Sequence, residues 1–286
     1  MTGLALALVI AAGLIHASWN YLLKKSGGGL AFMWLFAAFS ALFYAPLAIG
    51  ILWWQHADLS STGLAFIAVS AVLHTAYFLM LERGYRFGDL SLVYPLARAT
   101  GPLITIAVAV LLLGERPGAL ALGGAAMVVG GAFFLTGNPA TLRQSGTSRG
   151  VLFALLTGCM IAGYTITDQQ AVAVWLVHPI VLDWGANLGR VLLLTPVALR
   201  RREQLAAAWR QRRGTAIAVA LLCPLSYILV LTALTFTPVS YVAPAREISI
   251  LFAALMGTQL LREGQAGRRL CCAAAMALGV AALALG

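Results

Sequence analysis

Long apolar runs dominate the chain, and each has the length of one membrane crossing. A hydrocarbon core takes about 20 residues of helix. Runs of that size fall at 3–23, 30–52, 63–83, 90–113, 118–136, 150–168, 174–199, 214–235, 239–261 and 268–285. Short polar breaks with turn residues divide them, among them Lys24 to Gly29, Gln55 to Asp58, Arg86 to Asp89 and Glu115 to Pro117. The polar stretch from Gly137 to Arg149 is the best central linker. The pattern predicts an all-α integral membrane protein of ten transmembrane helices. Spans four and nine depart most from the pattern, since each carries a proline and an arginine near its start.

Composition agrees. Of 286 residues, 61% are hydrophobic and 10% charged, with a mean hydropathy of +0.91. Soluble domains carry about 25% charged residues, and one of this size cannot hide so much apolar surface from water. The net charge of +10 does not point to nucleic acid, because the basic residues sit in gaps between apolar runs and form no continuous face. Fifteen of the 19 lie in the odd-numbered loops, among them Lys24, Lys25, Arg83 and the group from Arg200 to Arg213. The even-numbered loops hold only Arg116. Cytoplasmic loops carry the excess of Lys and Arg, so the odd loops, including the linker at 138–149, are expected in the cytoplasm and both termini on the periplasmic side. The run from Gly3 to Leu23 has no preceding Lys or Arg and exceeds the length of a signal-peptide core, so it reads as a span. Cys159, Cys223, Cys271 and Cys272 all lie in apolar runs and read as small packing residues.

The two halves repeat. Arg98 and Arg246 stand 148 residues apart, as do Glu115 and Glu263. Leu-Leu-Gly-Glu at 112–115 matches Leu-Leu-Arg-Glu at 260–263, and Ser91 to Pro95 matches Ser240 to Pro244 at an offset of 149. Trp19-Asn20 corresponds to Tyr164-Thr165 at 145. With five helices per copy, the second copy enters the membrane from the opposite side. Residues 1–137 and 150–286 are therefore read as two inverted-topology five-helix repeats around a central cavity, with the solute site near the midplane.

Charged and polar groups at membrane depth face a cavity or a partner. His16, Trp19 and Asn20 share one face of span one. His74 and Tyr77 in span three, Tyr94 and Arg98 in span four, and Tyr164 in span six extend the set. Thr157, Thr165 and Asp168 also lie in span six, Ser226 and Tyr227 in span eight, and Ser240 in span nine. The candidate cavity set is His16, Trp19, Asn20, His74, Tyr77, Tyr94, Arg98, Tyr164, Tyr227 and Ser240. Aromatic and hydroxyl groups together suit an amphipathic solute with an apolar side chain; the blander alternative for any one aromatic is core or interface packing. Arg190, Arg246 and Glu247 read as structural charges. Adjacent residues diverge by about 100° on a helix, so Glu247 is expected to pair with another helix, Arg190 being one possibility. His16 and His74 titrate in the range useful for proton coupling, against the plainer reading of hydrogen-bonded packers. Pro95 and Pro244 free backbone carbonyls at matching places and read as hinges, so spans four and nine are expected to move most. Gly123, Gly130 and Gly137 repeat at seven in span five, as do Gly124 and Gly131, and Ala273, Ala277 and Ala281 repeat at four in span ten, so these two spans read as packing helices.

These motifs, in this order, resemble the drug/metabolite transporter superfamily, in particular its EamA-type ten-helix exporters. The resemblance rests on His16 to Asn20, Ser91 to Arg98, Leu113 to Glu115, Ser240 to Arg246 and Leu261 to Glu263, and it covers essentially the whole chain. It implies export of small metabolites, often amino acids, from the bacterial cytoplasm; one branch handles aromatic amino acids, methionine and threonine. The second half departs from the pattern at Ala243 and Glu247. The chain lacks a phosphate-binding Gly-x-x-x-x-Gly-Lys loop, a metal-ligand cluster and a nucleophile elbow, so no cofactor, no enzymatic activity and no nucleic-acid partner are expected. The resulting expectation is an inner-membrane exporter working by alternating access, with lipid and a small solute as partners and a monomer favoured. The alternatives are a multidrug or organic-cation exporter, which would need an acid deep in a span, and a lipid-modifying membrane enzyme, which would need clustered acids or histidines at one face.

Overall fold

The computed structural model describes residues 1–26, 29–54, 60–87, 90–136, 148–253 and 266–286. Every regular element among them is helical: α1 (Gly3–Ser26), α2 (Leu30–Trp54), α3 (Ser61–Phe87), α4 (Leu90–Leu111), α5 (Ala119–Thr136), α6 (Ser148–Ala173), α7 (Pro179–Arg200), α8 (Arg202–Leu234), α9 (Val239–Ala245) and α10 (Ala266–Leu285), with a further helical stretch at 248–253. Six of these, α1, α2, α3, α6, α7 and α8, are long and apolar enough to cross a bilayer.

Several helices run a few residues past the predicted spans, among them α3 to Phe87 and α6 to Ala173, and three further differences matter more. Span seven begins at Pro179 and not at 174. Its first turn is fixed by His178, whose Nδ1 accepts the Ile180 amide at 3.2 Å, and by Pro179 in the first turn, where its missing N–H costs nothing. The basic stretch at 200–213, expected as a loop, is mostly helical. It forms the start of α8 and leaves helical geometry at Arg212 (φ −138°, ψ 19°) before the membrane run begins. Span nine is two pieces, α9 and 248–253, separated by a turn at Arg246 and Glu247. Pro244 lies just ahead of that turn and has no amide hydrogen to donate. In the first half, α4 runs unbroken through Pro95 and Pro102.

The halves interlock rather than sit side by side. Helix α3 packs on α6 and α7, as α8 packs on α1 and α2; α2, α4 and α5 pack on α7, α9 and α10. The closest approaches repeat as well. A Cβ on Gly13 of α1 would lie 2.8 Å from Ile248, and one on Gly158 of α6 would lie 2.6 Å from Thr100. The two glycines are 145 residues apart and the residues facing them 148. Helices α5 and α10 approach backbone to backbone: a Cβ on Gly124 would sit 2.6 Å from the Gly279 carbonyl oxygen, and one on Gly131 would sit 2.6 Å from Met276. Gly123 and Gly130, on the same helix, meet nothing within 4 Å.

One end of the bundle gathers both termini. The Met1 ammonium donates to the Ala284 carbonyl at 3.1 Å, and the Tyr241 hydroxyl to the Gly286 carbonyl at 3.1 Å. At the same end Glu115, on the α4–α5 loop, receives the Val239 and Ser240 amides on its two carboxylate oxygens, both at 2.9 Å. These are the free donors at the start of α9, so the carboxylate caps that helix and ties the halves together. At the other end the Arg149 guanidinium lies 5.8 Å from the Phe87 ring, which stacks on Phe153. Apolar side chains cover the outside: Trp54 is 89% exposed and Leu111 79%. Against water that would cost about 25 cal/mol per Å²; against acyl chains, or at their interface for the tryptophans, it does not.

Two predictions come from this packing. Gly124→Val forces a branched side chain into the α10 backbone and should destabilise by about 1–3 kcal/mol, whereas Gly123→Ala, on the open side, should be neutral or gain up to ~1 kcal/mol in helix propensity; thermal unfolding in detergent reads both. Glu115→Ala should cost about 1–2 kcal/mol through loss of the α9 cap and Glu115→Gln less, measured the same way.

Candidate functional site

Among the described residues, six helices and the broken span nine send side chains, most of them polar or aromatic, to an interior cavity of about 80 Å³. From α1 come His16 and Trp19; from α3 His74, Tyr77 and Phe78; from α4 Arg98; from α6 Tyr164; from α7 Asp183, Asn187 and Arg190; from α8 Cys223, Ser226 and Tyr227; and from the broken span nine Arg246 and Ser249. Helical periodicity explains the convergence. His16 and Trp19, His74 and Tyr77, and Asp183, Asn187 and Arg190 are each spaced by three or four residues, so each set occupies one face.

The wall is aromatic. His74 stacks on Tyr164 with ring centroids 4.1 Å apart and meets Tyr227 edge-on at 5.2 Å. Tyr77 meets Tyr164 edge-on at 5.9 Å, and His16 meets Trp19 at 4.8 Å. The Trp19 indole N–H donates to the Ser226 hydroxyl at 3.2 Å, which fixes the ring against α8. Such edge-to-face arrangements are the preferred geometry of aromatic pairs.

Three guanidiniums enter this wall in different ways. Arg98 is neutralised: its Nε lies 2.9 Å from Glu247 Oε2, and its Nη2 donates to Ser249 at 3.3 Å. Both partners are buried, and a buried charge without a partner costs several kcal/mol. Glu247 therefore pairs with Arg98 and not with Arg190. The turn at 246–247 makes this possible by pointing Glu247 toward α4 while Arg246 turns into the cavity. Arg246 donates to the Tyr164 hydroxyl at 3.3 Å and lies over the Tyr227 ring at 5.5 Å. Arg190 donates to the Asn187 amide oxygen at 3.1 Å and lies over the Phe78 ring at 5.2 Å; Asn187 in turn donates to Asp183 at 2.9 Å. Among the described residues no carboxylate lies within 4.0 Å of Arg190 or Arg246.

Of the ten candidate cavity residues, seven line this cavity: His16, Trp19, His74, Tyr77, Arg98, Tyr164 and Tyr227. Asn20 instead donates back to the His16 carbonyl at 2.9 Å. Tyr94 is not among the lining residues. Ser240 sits in the first turn of α9, where its amide is held by Glu115. Arg190 and Arg246, read as structural charges, face the cavity, and so does Cys223, read as packing. The sequence reading missed Asn187 and Ser249 and left Asp183 as a scattered acid. The signal for the α7 face was present in the spacing of 183, 187 and 190. Nothing marked Ser249, because the helix break re-aims that segment. Glu263, the sequence counterpart of Glu115, lies outside the described residues.

A helix bundle with an apolar outer shell and a cavity of aromatic and ionic groups has the build of a multi-pass membrane protein. The EamA-like transporter family model matches residues 3–137 and again 148–285. The chain belongs to that family of membrane transporters, within the drug/metabolite transporter superfamily. A solved structure described as "Crystal structure of protein" shares the fold, with a TM-score of 0.73 and 14% identity over 98% of this chain and 97% of that one. No curated protein sequence matches the chain.

Proposed function

We propose that this transporter exports amino acids, in particular aromatic amino acids, methionine and threonine, from the bacterial cytoplasm by alternating access. The observation that carries the reading is the pair of cavity guanidiniums without a carboxylate partner, Arg190 and Arg246, set in an aromatic wall. A solute carboxylate supplies what they lack: charge-assisted hydrogen bonds to a guanidinium are among the strongest available. Asp183 and the aromatic faces can meet an ammonium, and the remaining wall takes the side chain. The cation-exporter alternative is disfavoured by the same charges, since three guanidiniums and one carboxylate, Asp183, line the cavity.

In this reading ten spans form two inverted repeats. The interlocked packing, the matched contacts of Gly13 and Gly158, and both termini meeting at one end all support it. The basic odd loops then face the cytoplasm of an inner membrane, with both termini periplasmic. The boundaries of the repeats are 1–137 and 150–286, joined by the cytoplasmic linker 138–149. Transport requires α4 and the broken span nine to part. Pro95 and Pro244 are the hinges, and the Arg98–Glu247 pair holds the closed arrangement. His16, Trp19, His74, Tyr77, Tyr164 and Tyr227 contact the solute, with Asn20, Tyr94 and Ser240 as supports of the moving helices.

The test is efflux of labelled phenylalanine, methionine or threonine from loaded proteoliposomes. Arg246→Ala should slow it at least about tenfold, equivalent to ~1.4 kcal/mol. Trp19→Ala should weaken apparent affinity while leaving the protein monodisperse. Transport of an organic cation with no efflux of any amino acid would defeat the proposal.

A further inference from the structure

Asp168 is the acid that solute binding leaves unused. It is fully buried on α6 and does not line the cavity. His74 of α3 and Tyr227 of α8 do line it, and both also reach the carboxylate. The Tyr227 hydroxyl donates to Asp168 Oδ2, and His74 Nε2 lies 4.0 Å from the same oxygen. A solute cannot reach a fully covered carboxylate, but a proton can pass through a hydroxyl or an imidazole.

The hydrogen-bond pattern shows where that proton belongs. His74 Nδ1 lies 3.0 Å from the Ser70 carbonyl oxygen. A carbonyl only accepts, so Nδ1 carries a hydrogen there. In the neutral ring Nε2 is then a lone pair. It faces an oxygen of the fully buried Asp168, so two acceptors confront each other. A proton on either one turns that repulsion into attraction. The Ser70 hydroxyl of α3, 3.3 Å from His74 Nδ1, and the Tyr227 hydroxyl donate hydrogen bonds to Asp168 but do not release a proton to it at rest. The other charged and titratable groups around the spot are Tyr164 of α6, Asp183 and Arg190 of α7, Arg98 of α4, already held by Glu247, and Arg246 of the broken span nine. None of the three arginines lies within 4.0 Å of Asp168.

We propose that Asp168, screened by His74 and Tyr227, is a proton-binding site that couples solute export to proton entry. When the cavity opens to the proton-rich side, the Tyr227 hydroxyl passes its proton to Oδ2 and takes one from a hydronium ion in the cavity, which becomes water, and His74 offers a parallel relay. When the cavity opens to the other side, the proton leaves by the same path. One proton enters the site and one leaves it, with no covalent change. The coupling, though not the site, rests on the transport reading above.

Two measurements test it separately. Infrared difference spectra between acidic and neutral pH, on protein in lipid, should show the C=O band of a buried carboxylic acid. The band should be absent in Asp168→Asn and unchanged in Glu82→Gln, whose carboxylate is half-exposed beside Arg86. No such band in the wild type, or a band that survives Asp168→Asn, overturns the site. In liposomes with an entrapped pH dye, an outward phenylalanine gradient should drive protons inward through the wild type. Labelled-phenylalanine counterflow at equal pH shows independently whether the solute is carried. Counterflow without proton movement overturns the coupling. Absence of counterflow defeats the amino-acid reading and leaves the infrared band to decide the proton site. If Asp168→Asn does not fold, Asp168→Glu, which keeps the carboxyl, should shift the frequency of the band, and a band left unmoved overturns the site.

Discussion

A charged side chain in hydrocarbon must find a partner inside the protein or a cavity that holds water, and the interior of this molecule is arranged around that constraint. Arg98 and Glu247 satisfy it with each other across the two halves. Arg190 satisfies it with Asn187 and the face of Phe78, Arg246 with Tyr164 and Tyr227, and Asp168 with Tyr227. Every one of these groups comes from a different helix than its main charged or aromatic partner, except Asn187 beside Arg190. The polar groups therefore act as cross-links that fix how α3, α4, α6, α7, α8 and the broken span nine surround one space.

Small residues make those cross-links geometrically possible. Lipid is as apolar as leucine, so helices in a bilayer gain little from burying leucine and much from close backbone contact. Gly13 and Gly158 let the fourth helix of the opposite half pass within contact distance, which carries Arg98 and Arg246 into the bundle. Gly124 and Gly131 lock α5 against α10 outside the cavity, leaving the inner helices to surround it. Glu115 adds a tether at one end, binding the first-half loop to the start of α9.

The break after Pro244 is the feature that distinguishes the halves. In an unbroken helix Arg246 and Glu247 would diverge at a fixed angle. The turn lets one reach α4 and the other stay in the cavity. The same position in the first half, near Pro95, remains helical. The molecule is thus pseudo-symmetric in packing but asymmetric in charge, with two of its three cavity arginines in the second half and its ion pair joining the two.

Much of this was legible in the sequence, for a physical reason. Hydrocarbon imposes its thickness on apolar run length, so the all-helical membrane class could be read from patterning, the two repeats from matched residues and the family from the resemblance of those motifs; the faces carrying His16 with Trp19 and His74 with Tyr77 were legible too, because helical spacing is local. Packing between distant helices was not legible. Which acid meets Arg98, which arginine stays without a carboxylate, and which of Asn20, Tyr94 and Ser240 turns away from the cavity depend on rotations of whole helices and on one local break. The basic stretch at 200–213 was misjudged as a loop because charge marks the membrane edge without deciding whether the backbone there is helical. Residue spacing decided what each helix could present; only the tertiary structure decided what it presented it to, since partners there are set by contact geometry between segments that are far apart in the chain.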